Sequence, residues 1–402
     1  TRCSRDWSSD VCSSDLIGKG IGKAVKGTKQ LLKYAIYHSN LFEDLGFKYL
    51  GPIDGHNLDE LTEALMVAKM MQRPCLVHIY TKKGKGYAPA EDNSGEYHGL
   101  PPKKDDDNNC KGECFTDAFG KALLSFADND NSIYAVTAAM KYGTGLQHFY
   151  KAFPERFFDV GIAEQHAVTF SAGLASQGKL PVFAVYSSFL QRSYDQLIHD
   201  CAIEKRHVVL GIDRAGFVGE DGETHHGLFD VAMLTTVPGV TVYSPSDTAE
   251  LSQCLEQALY KDKGVVAVRY PRGCELYRSG TKAYSDFRHV SNKSRKLIFT
   301  YGRISAYAYT IHGVDVLQAI KIFPIADEII NICLAYDEIY AFEEGEREGG
   351  IAQKLCTALA LAGFKGRFTI TAVDGFVRHA DVATQLHNAM LDADGMRKIT
   401  GE

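Results

Sequence analysis

Glu164 stands in GIAEQHAV, just after a strand-like stretch (FFDV) and inside the first turn of an apolar helix. A carboxylate there is stabilised by the helix dipole, and most such glutamates do nothing more, although pocket carboxylates are sometimes functional. The buried strand HVVLGID leads into DRAGFVGEDGETHHG, where Arg214, Asp221, His225 and His226 are set among glycines. Such loops often serve only as turns, but a cation, an acid and two imidazoles in one loop point to binding. RYPRG closes a later strand and offers Arg269 and Arg272, whose guanidinium forks suit a phosphate or a carboxylate. YSSFLQRSYDQ places aromatics and Arg192 at another strand-to-helix switch, where core packing and a solvated arginine are the plainer reading of that segment alone.

These residues need a scaffold that brings strand ends to one edge. Strands (IYAVTAA, PVFAVY, HVVLGID, VVAVRY) alternate with helical stretches (FTDAFGKALLSFA, and one from about 190 to 204). That alternation predicts right-handed βαβ units in a largely parallel α/β sheet, whose carboxyl edge is where open sheets hold ligands. The domain spans 113–275. Before it, an amphipathic helix from Leu58 to Met71, a buried strand CLVHIYT and the loop TKKGKGYAPAEDN precede a linker at 100–112. After it, a third α/β segment occupies 291–402, with GRISAYAYTIHGVDVLQ shorter than a usual helix-and-strand unit. Residues 1–16, TRCSRDWSSDVCSSDL, match nothing that follows and read as an adaptor-like, non-native segment; the expectation is that the native amino terminus is missing.

Composition bounds the partners. A net charge of -6 gives no basic field for nucleic acid, and no run approaches the roughly 18 apolar residues of a membrane span. Ten cysteines show no repeated C-x-x-C, and Cys110 with Cys114 has no second pair to complete a zinc site. The reading is reduced thiols in a cytoplasmic protein.

In order, GPIDGH, TKKGKGYAPAE, YHG, DVGIAEQHAVTFSAGLA, YSSFLQRSYDQLIHD, DRAGFVGEDGETHHG, SPSD and RYPRG resemble the 1-deoxy-D-xylulose-5-phosphate synthase family, thiamine-diphosphate enzymes of the transketolase superfamily. The resemblance runs from about 41 to 273 and more weakly through FEEGEREGGIAQ to the end. It implies a parallel-sheet thiamine-diphosphate-binding fold: the end of a diphosphate domain in 17–112, a pyrimidine domain in 113–275 and a transketolase-like domain in 291–402. The implied reaction condenses pyruvate with D-glyceraldehyde 3-phosphate, losing carbon dioxide, at the start of non-mevalonate isoprenoid synthesis. Glu164 matches the glutamate that bonds the cofactor's aminopyrimidine, and Phe189 the aromatic packed on that ring; Lys82 and Lys83 are further cofactor candidates. Tyr186, Arg192, Arg214 and Arg272 match groups that hold the acceptor phosphate, while Asp221, His225 and His98 match residues that orient hydroxyls or move protons. His226 departs from the glutamine of many relatives.

The superfamily holds the diphosphate through magnesium on a G-D-G motif with a later asparagine. No G-D-G occurs in the chain, and DDDNN at 105–109 lies in a linker and is no substitute. The metal ligands are therefore expected in a missing amino-terminal part, and this fragment is expected to be inactive alone, although a homodimer is implied. The alternatives are a beta-type subunit of a two-chain 2-oxo acid dehydrogenase, against which residues 41–100 argue, and a non-catalytic pairing fragment.

Overall fold

The computed structural model describes residues 41–98, 112–276, 280 and 283–402. Residues 1–16, 17–40 and the linker through 111, DDDNN included, lie outside the described residues. Two compact units result, one ending at Lys103 and the other beginning at Lys104.

In the first unit β1 (Lys48–Asp54) connects through α1 (Leu58–Met70) to β2 (Cys75–Tyr80), which pairs with it in parallel. Asn57 caps α1: its side-chain oxygen accepts from the N–H of Asp59 at 3.2 Å and of Glu60 at 3.3 Å. Ala64 and Val67 on the helix are buried, as are Leu50 and Ile53 on β1. The apolar run of β2 predicts a buried strand, yet β2 is half-buried to exposed. Two strands and one long helix are too few layers to enclose it.

In the second unit α2 (Phe115–Asn129) precedes β3 (Ile133–Thr137), β4 (Phe157–Asp159), α3 (Glu164–Ser176) and β5 (Leu180–Tyr186). β6 (Val208–Asp213), β7 (Thr241–Tyr243), α4 (Thr248–Tyr260) and β8 (Val265–Arg269) follow. The carboxyl-terminal part adds β9 (Phe287–Val290), β10 (Lys296–Tyr301), β11 (Asp315–Ala319), β12 (Lys321–Phe323), α5 (Asp327–Cys333), β13 (Glu338–Glu346), α6 (Ile351–Leu361), β14 (Arg367–Val373) and α7 (Val382–Asn388). One sheet has the order β12-β7-β8-β6-β5-β3-β4 and the other β14-β13-β10-β11-β9. Neighbours are parallel except β12 with β7 and β9 with β11. The α/β, largely parallel architecture expected from the alternation is the one observed.

Three details differ from the expectations. β12 leaves the third segment to cover the edge of β7, and β9 joins the second sheet from before residue 291. An open strand edge is a liability, and one apolar core runs through both sheets, from Phe183 and Leu210 to Phe299 and Ile339. The polar stretch after 275 thus parts the sequence more than the packing. The helix expected from 190 begins at Ser187 and is irregular, with a 3-10 turn at Gln191–Ser193 and a π-helical turn at Leu197–Ala202. Finally, Cys274 is disulfide-bonded, against the reading of all ten cysteines as thiols, and the thiol of Cys114, a different cysteine from its disulfide partner, makes a hydrogen-bond contact with its sulfur at 2.8 Å. The backbones of Cys114 and Cys274 face each other in an isolated antiparallel β-bridge that sequence spacing gives no sign of. No helix among the described residues is long and apolar enough to cross a membrane.

Candidate active site

Strands β4, β5, β6 and β8 lie in one sheet, and each delivers a site segment beyond its carboxyl end. After β4 the chain turns through Gly161 at φ +75°, pinned by the Asp159 carboxylate, which accepts from the N–H of Gly161 at 3.0 Å and of Ala139 at 2.7 Å. α3 then begins at Glu164. Its buried positions, Glu164, Ala167, Val168, Ser171 and Ala172, fall on one helical stripe, so Glu164 enters the protein with that stripe at 2% exposure. The hydrogen bonds that reach its carboxylate within the described residues come from Arg192 Nη1, at 3.1 Å to Oε1 and 3.2 Å to Oε2.

Arg192 is half exposed, and its guanidinium carbon lies 5.4 Å from the centre of the Phe189 ring. Phe189 stacks on Tyr186, centroids 5.8 Å apart, and meets His225 edge-on at 5.2 Å. Above Tyr186 sits the guanidinium of Arg214, 4.1 Å from the ring centre. Gly143 is needed here, because a Cβ at that position would stand 1.8 Å from the Tyr186 hydroxyl oxygen. Burial raises the Tyr186 phenol above its usual range, so it stays protonated.

Arg214 takes up a left-handed backbone, φ +62°, which costs a residue other than glycine about 1–2 kcal/mol. Its contacts offset that cost. The Asp213 carboxylate accepts from its N–H and its Nη1, both at 2.8 Å, and the Gly143 carbonyl accepts from Nη1 at 2.6 Å. Burial works most strongly against the Arg214 charge, but Asp213, Tyr186 and Asp221 together outweigh it and the guanidinium is held above its usual range. Asp213 is fully buried and is pushed up by desolvation, against the pull of Arg214 and the Thr116 hydroxyl. Asp221 Oδ2 lies 3.7 Å from Arg214 Nε and 3.4 Å from Arg272 Nε, between the two. Arg214 Nε and Asp221 Oδ2 are both buried and have no hydrogen-bond partner among the described residues. Arg272 also donates to the Val218 carbonyl at 3.1 Å and to Glu220 Oε2 at 3.0 Å. One contact path therefore runs from Glu164 through Arg192, Phe189, Tyr186 and Arg214 to Asp221 and Arg272.

Residues 2–81 match the family model described as 1-deoxy-D-xylulose-5-phosphate synthase, and residues 114–275 that of the transketolase pyrimidine binding domain. The 1-deoxy-D-xylulose-5-phosphate synthase of Clostridium kluyveri is 47% identical over 303 residues, 73% of this chain and 48% of the relative. That of Caldanaerobacter subterraneus is 39% identical over 397 residues, 94% of this chain and 64% of the relative. This chain belongs to the 1-deoxy-D-xylulose-5-phosphate synthase family. It spans about half to two thirds of the length of these relatives. Among solved structures, a split-gene transketolase described as an inactive beta4 tetramer superposes with TM-score 0.62 at 23% identity, covering 71% of this chain and 96% of that one. The transketolase of Campylobacter jejuni gives 0.61 at 14% identity, over 92% and 70%. At such identities the likeness is one of fold.

Within this family member, the second unit gathers Glu164, Phe189, Tyr186, Arg192, Arg214, Asp221, His225 and Arg272. Two placements differ from expectation. Arg192, expected at an acceptor phosphate, turns its guanidinium to Glu164, because the buried carboxylate is the nearer unmatched charge. Arg269, offered beside Arg272, is buried and spent on Asp230 at 2.8 Å and 3.2 Å. His226 is buried edge-on against Phe217, with Gln385 Nε2 3.4 Å from its Nε2. Lys82, Lys83 and His98 belong to the first unit. There Lys82 pairs with Glu91 at 2.6 Å, while the Lys83 amine contacts His98 Nδ1.

Sequence reasoning missed Asp213, Thr116 and Glu220. Asp213 and Glu220 were adjacent to singled-out residues, in IDRAG and GEDG, but Thr116 lies 97 residues before Asp213 in the same domain and carried no signal. No group of three or more His, Cys, Asp or Glu among the described residues could hold a metal ion.

Proposed function

We propose that this chain carries the pyrimidine-side and acceptor-side parts of a thiamine-diphosphate site, a transketolase-type transferase centre that joins pyruvate to D-glyceraldehyde 3-phosphate with loss of carbon dioxide. The observation that carries this reading is the continuous path from buried Glu164 to the Arg214–Asp221–Arg272 cluster. The donor set fits the cofactor. A carboxylate sunk at a helix start, with a half-exposed arginine as its one hydrogen-bond partner among the described residues, suits the ring nitrogen of an aminopyrimidine, and the Phe189 face and exposed Ile162 offer apolar surface to that ring. When bound, thiamine diphosphate supplies the nucleophilic carbon and the electron sink for decarboxylation.

The chain's own residues do the rest. Glu164 holds a proton at its carboxylate and shares it with the ring nitrogen. Arg192, half exposed, turns from that carboxylate to the substrate. Arg214, through its unbonded Nε, and Arg272 grip the acceptor phosphate with charge-assisted bonds. Asp221 and His225 orient its hydroxyls and pass a proton. Magnesium would be held by residues outside this sequence, since G-D-G is not among the 402 residues. A homodimer in the cytoplasm is part of the same reading. The match of residues 2–81 to the synthase family favours it over a two-chain dehydrogenase subunit.

The test is Glu164→Gln, which keeps the shape and removes the ionisable proton. Product formation from pyruvate and D-glyceraldehyde 3-phosphate is followed with thiamine diphosphate and magnesium, using the chain alone and mixed with the metal-binding half of a family member. Product is expected only in the mixture, and Glu164→Gln should lower turnover about a thousandfold while changing cofactor affinity less. Near-normal turnover in the variant removes Glu164 from this role, and product from the chain alone places the metal site within these residues.

A further inference from the structure

The two arginines of the acceptor cluster are not held by their own sheet alone. Arg303, in the turn after β10, and Glu344, in β13, are each only 5% exposed and form a two-point ion pair. Arg303 Nε donates to Glu344 Oε2 at 2.9 Å, and Nη2 donates to Oε1. The pair then reaches beyond its five-stranded sheet in three directions. Arg303 Nη1 donates to the carbonyl of Arg272 at 3.2 Å, and Nη2 donates to the carbonyl of Phe217 at 2.9 Å. Glu344 Oε1 accepts the N–H of Phe217 at 2.7 Å. The approach is close enough that a Cβ at Gly216 would stand 2.3 Å from Glu344 Oε1, and Gly216 has φ +80°.

One ion pair thus holds the backbone of both segments that present the cluster, Arg272 at its own carbonyl and the Arg214 segment at Phe217. A buried pair is rarely better for stability than apolar side chains of the same volume, so its presence calls for another use. Here the use is geometric. The five N–H groups of a guanidinium form a rigid fork, and this fork bonds a carboxylate and two carbonyls from separate loops at once. Neither loop can shift against the other without breaking a buried bond to a charge.

We propose that Arg303 and Glu344 are positioning residues for phosphate recognition: they set the spacing of Arg214 and Arg272 from behind, without touching the ligand. The inference rests on the reading of those arginines as the phosphate cradle, and its test separates the two. In the whole chain, Glu344→Gln, Arg303→Lys and Arg272→Ala are compared with the unaltered protein by hydrogen exchange and by calorimetric titration with inorganic phosphate. Glu344→Gln should speed exchange at 215–219 and at 271–274 together, with α2 and β5 unchanged, and weaken phosphate binding about tenfold or more. Arg303→Lys keeps the charge but serves fewer acceptors, so it should fall between, and it carries the test if Glu344→Gln does not fold. If Arg272→Ala weakens phosphate binding while Glu344→Gln and Arg303→Lys leave it unchanged, the positioning role is overturned and the cradle stands. If Arg272→Ala itself changes nothing, the cradle reading fails and this proposal falls with it. Faster exchange confined to one of the two loops also overturns it.

Discussion

Replacing Arg272 by alanine separates ligand recognition from folding in a way that replacing Arg214 cannot. The closest charge on Arg272 is Glu220, whose side chain is 76% exposed, and a pair so open to water contributes at most about 1 kcal/mol, while Asp221, 3.4 Å from Arg272, keeps Arg214 as a partner in the variant. Arg214 is only 14% exposed and pairs with fully buried Asp213, so Arg214→Ala strands a buried carboxylate at a cost of about 3–5 kcal/mol. With about 2–4 °C of melting temperature per kcal/mol for a domain of this size, Arg272→Ala should melt within about 4 °C of the parent, and Arg214→Ala about 6–20 °C below it. Ligand binding should follow a different order. A charge-assisted bond to phosphate contributes about 1.5–3 kcal/mol, so losing Arg272 should raise the dissociation constant for D-glyceraldehyde 3-phosphate about 10- to 150-fold. Glu220 must release the guanidinium as the dianion arrives, and its exposure makes that release cheap. Calorimetric titration with D-glyceraldehyde 3-phosphate, with D-glyceraldehyde as the uncharged control, reads the difference. Equal losses for both aldehydes, or none for either, refute the phosphate assignment. A melting drop for Arg272→Ala as large as for Arg214→Ala refutes the argument from exposure.

Gly143→Ala would place a Cβ 1.8 Å from the Tyr186 hydroxyl oxygen, which forces the ring away from the Arg214 guanidinium above it. Phosphate binding by calorimetry should weaken, and adding Tyr186→Phe should restore part of it; no weakening in the single variant would show that the ring does not support Arg214. Burial holds the His226 imidazole below its usual range, with Glu223 and Glu344 raising it and His225 and His379 lowering it in turn. Because the folded pKa lies below the unfolded value of about 6.5, the unfolded chain takes up the proton first as pH falls, and stability is lost below that point. His226→Gln should therefore lose less melting temperature than the parent between about pH 7.5 and 5.5. Identical losses would clear His226 of any part in acid sensitivity.

Much of the architecture was legible because it follows from short-range patterns. Alternating apolar strands and helices read as a parallel α/β fold, and Glu164 falls on the same helical stripe as Ala167, Val168 and Ser171, which is a property of local spacing. Side-chain direction was less legible, because charges in a low-dielectric interior answer to partners far off in the chain. Arg269 and Arg272 sit three residues apart in one motif, and nothing local distinguishes them. The first ends a strand whose side chain meets buried Asp230, 39 residues earlier, and is fixed as part of the core. The second lies past Pro271 beside an exposed glutamate and keeps a guanidinium that a ligand can claim. The same logic sends Arg192 to Glu164. A long cationic side chain settles on the strongest unmatched charge within reach, and desolvation makes a buried carboxylate stronger than any solvated one. Reading function from an arginine-rich motif therefore requires knowing which carboxylates the fold has buried nearby, and Asp213, Asp230 and Glu344, which decide that question here, all lie outside the arginine motifs or were passed over beside them.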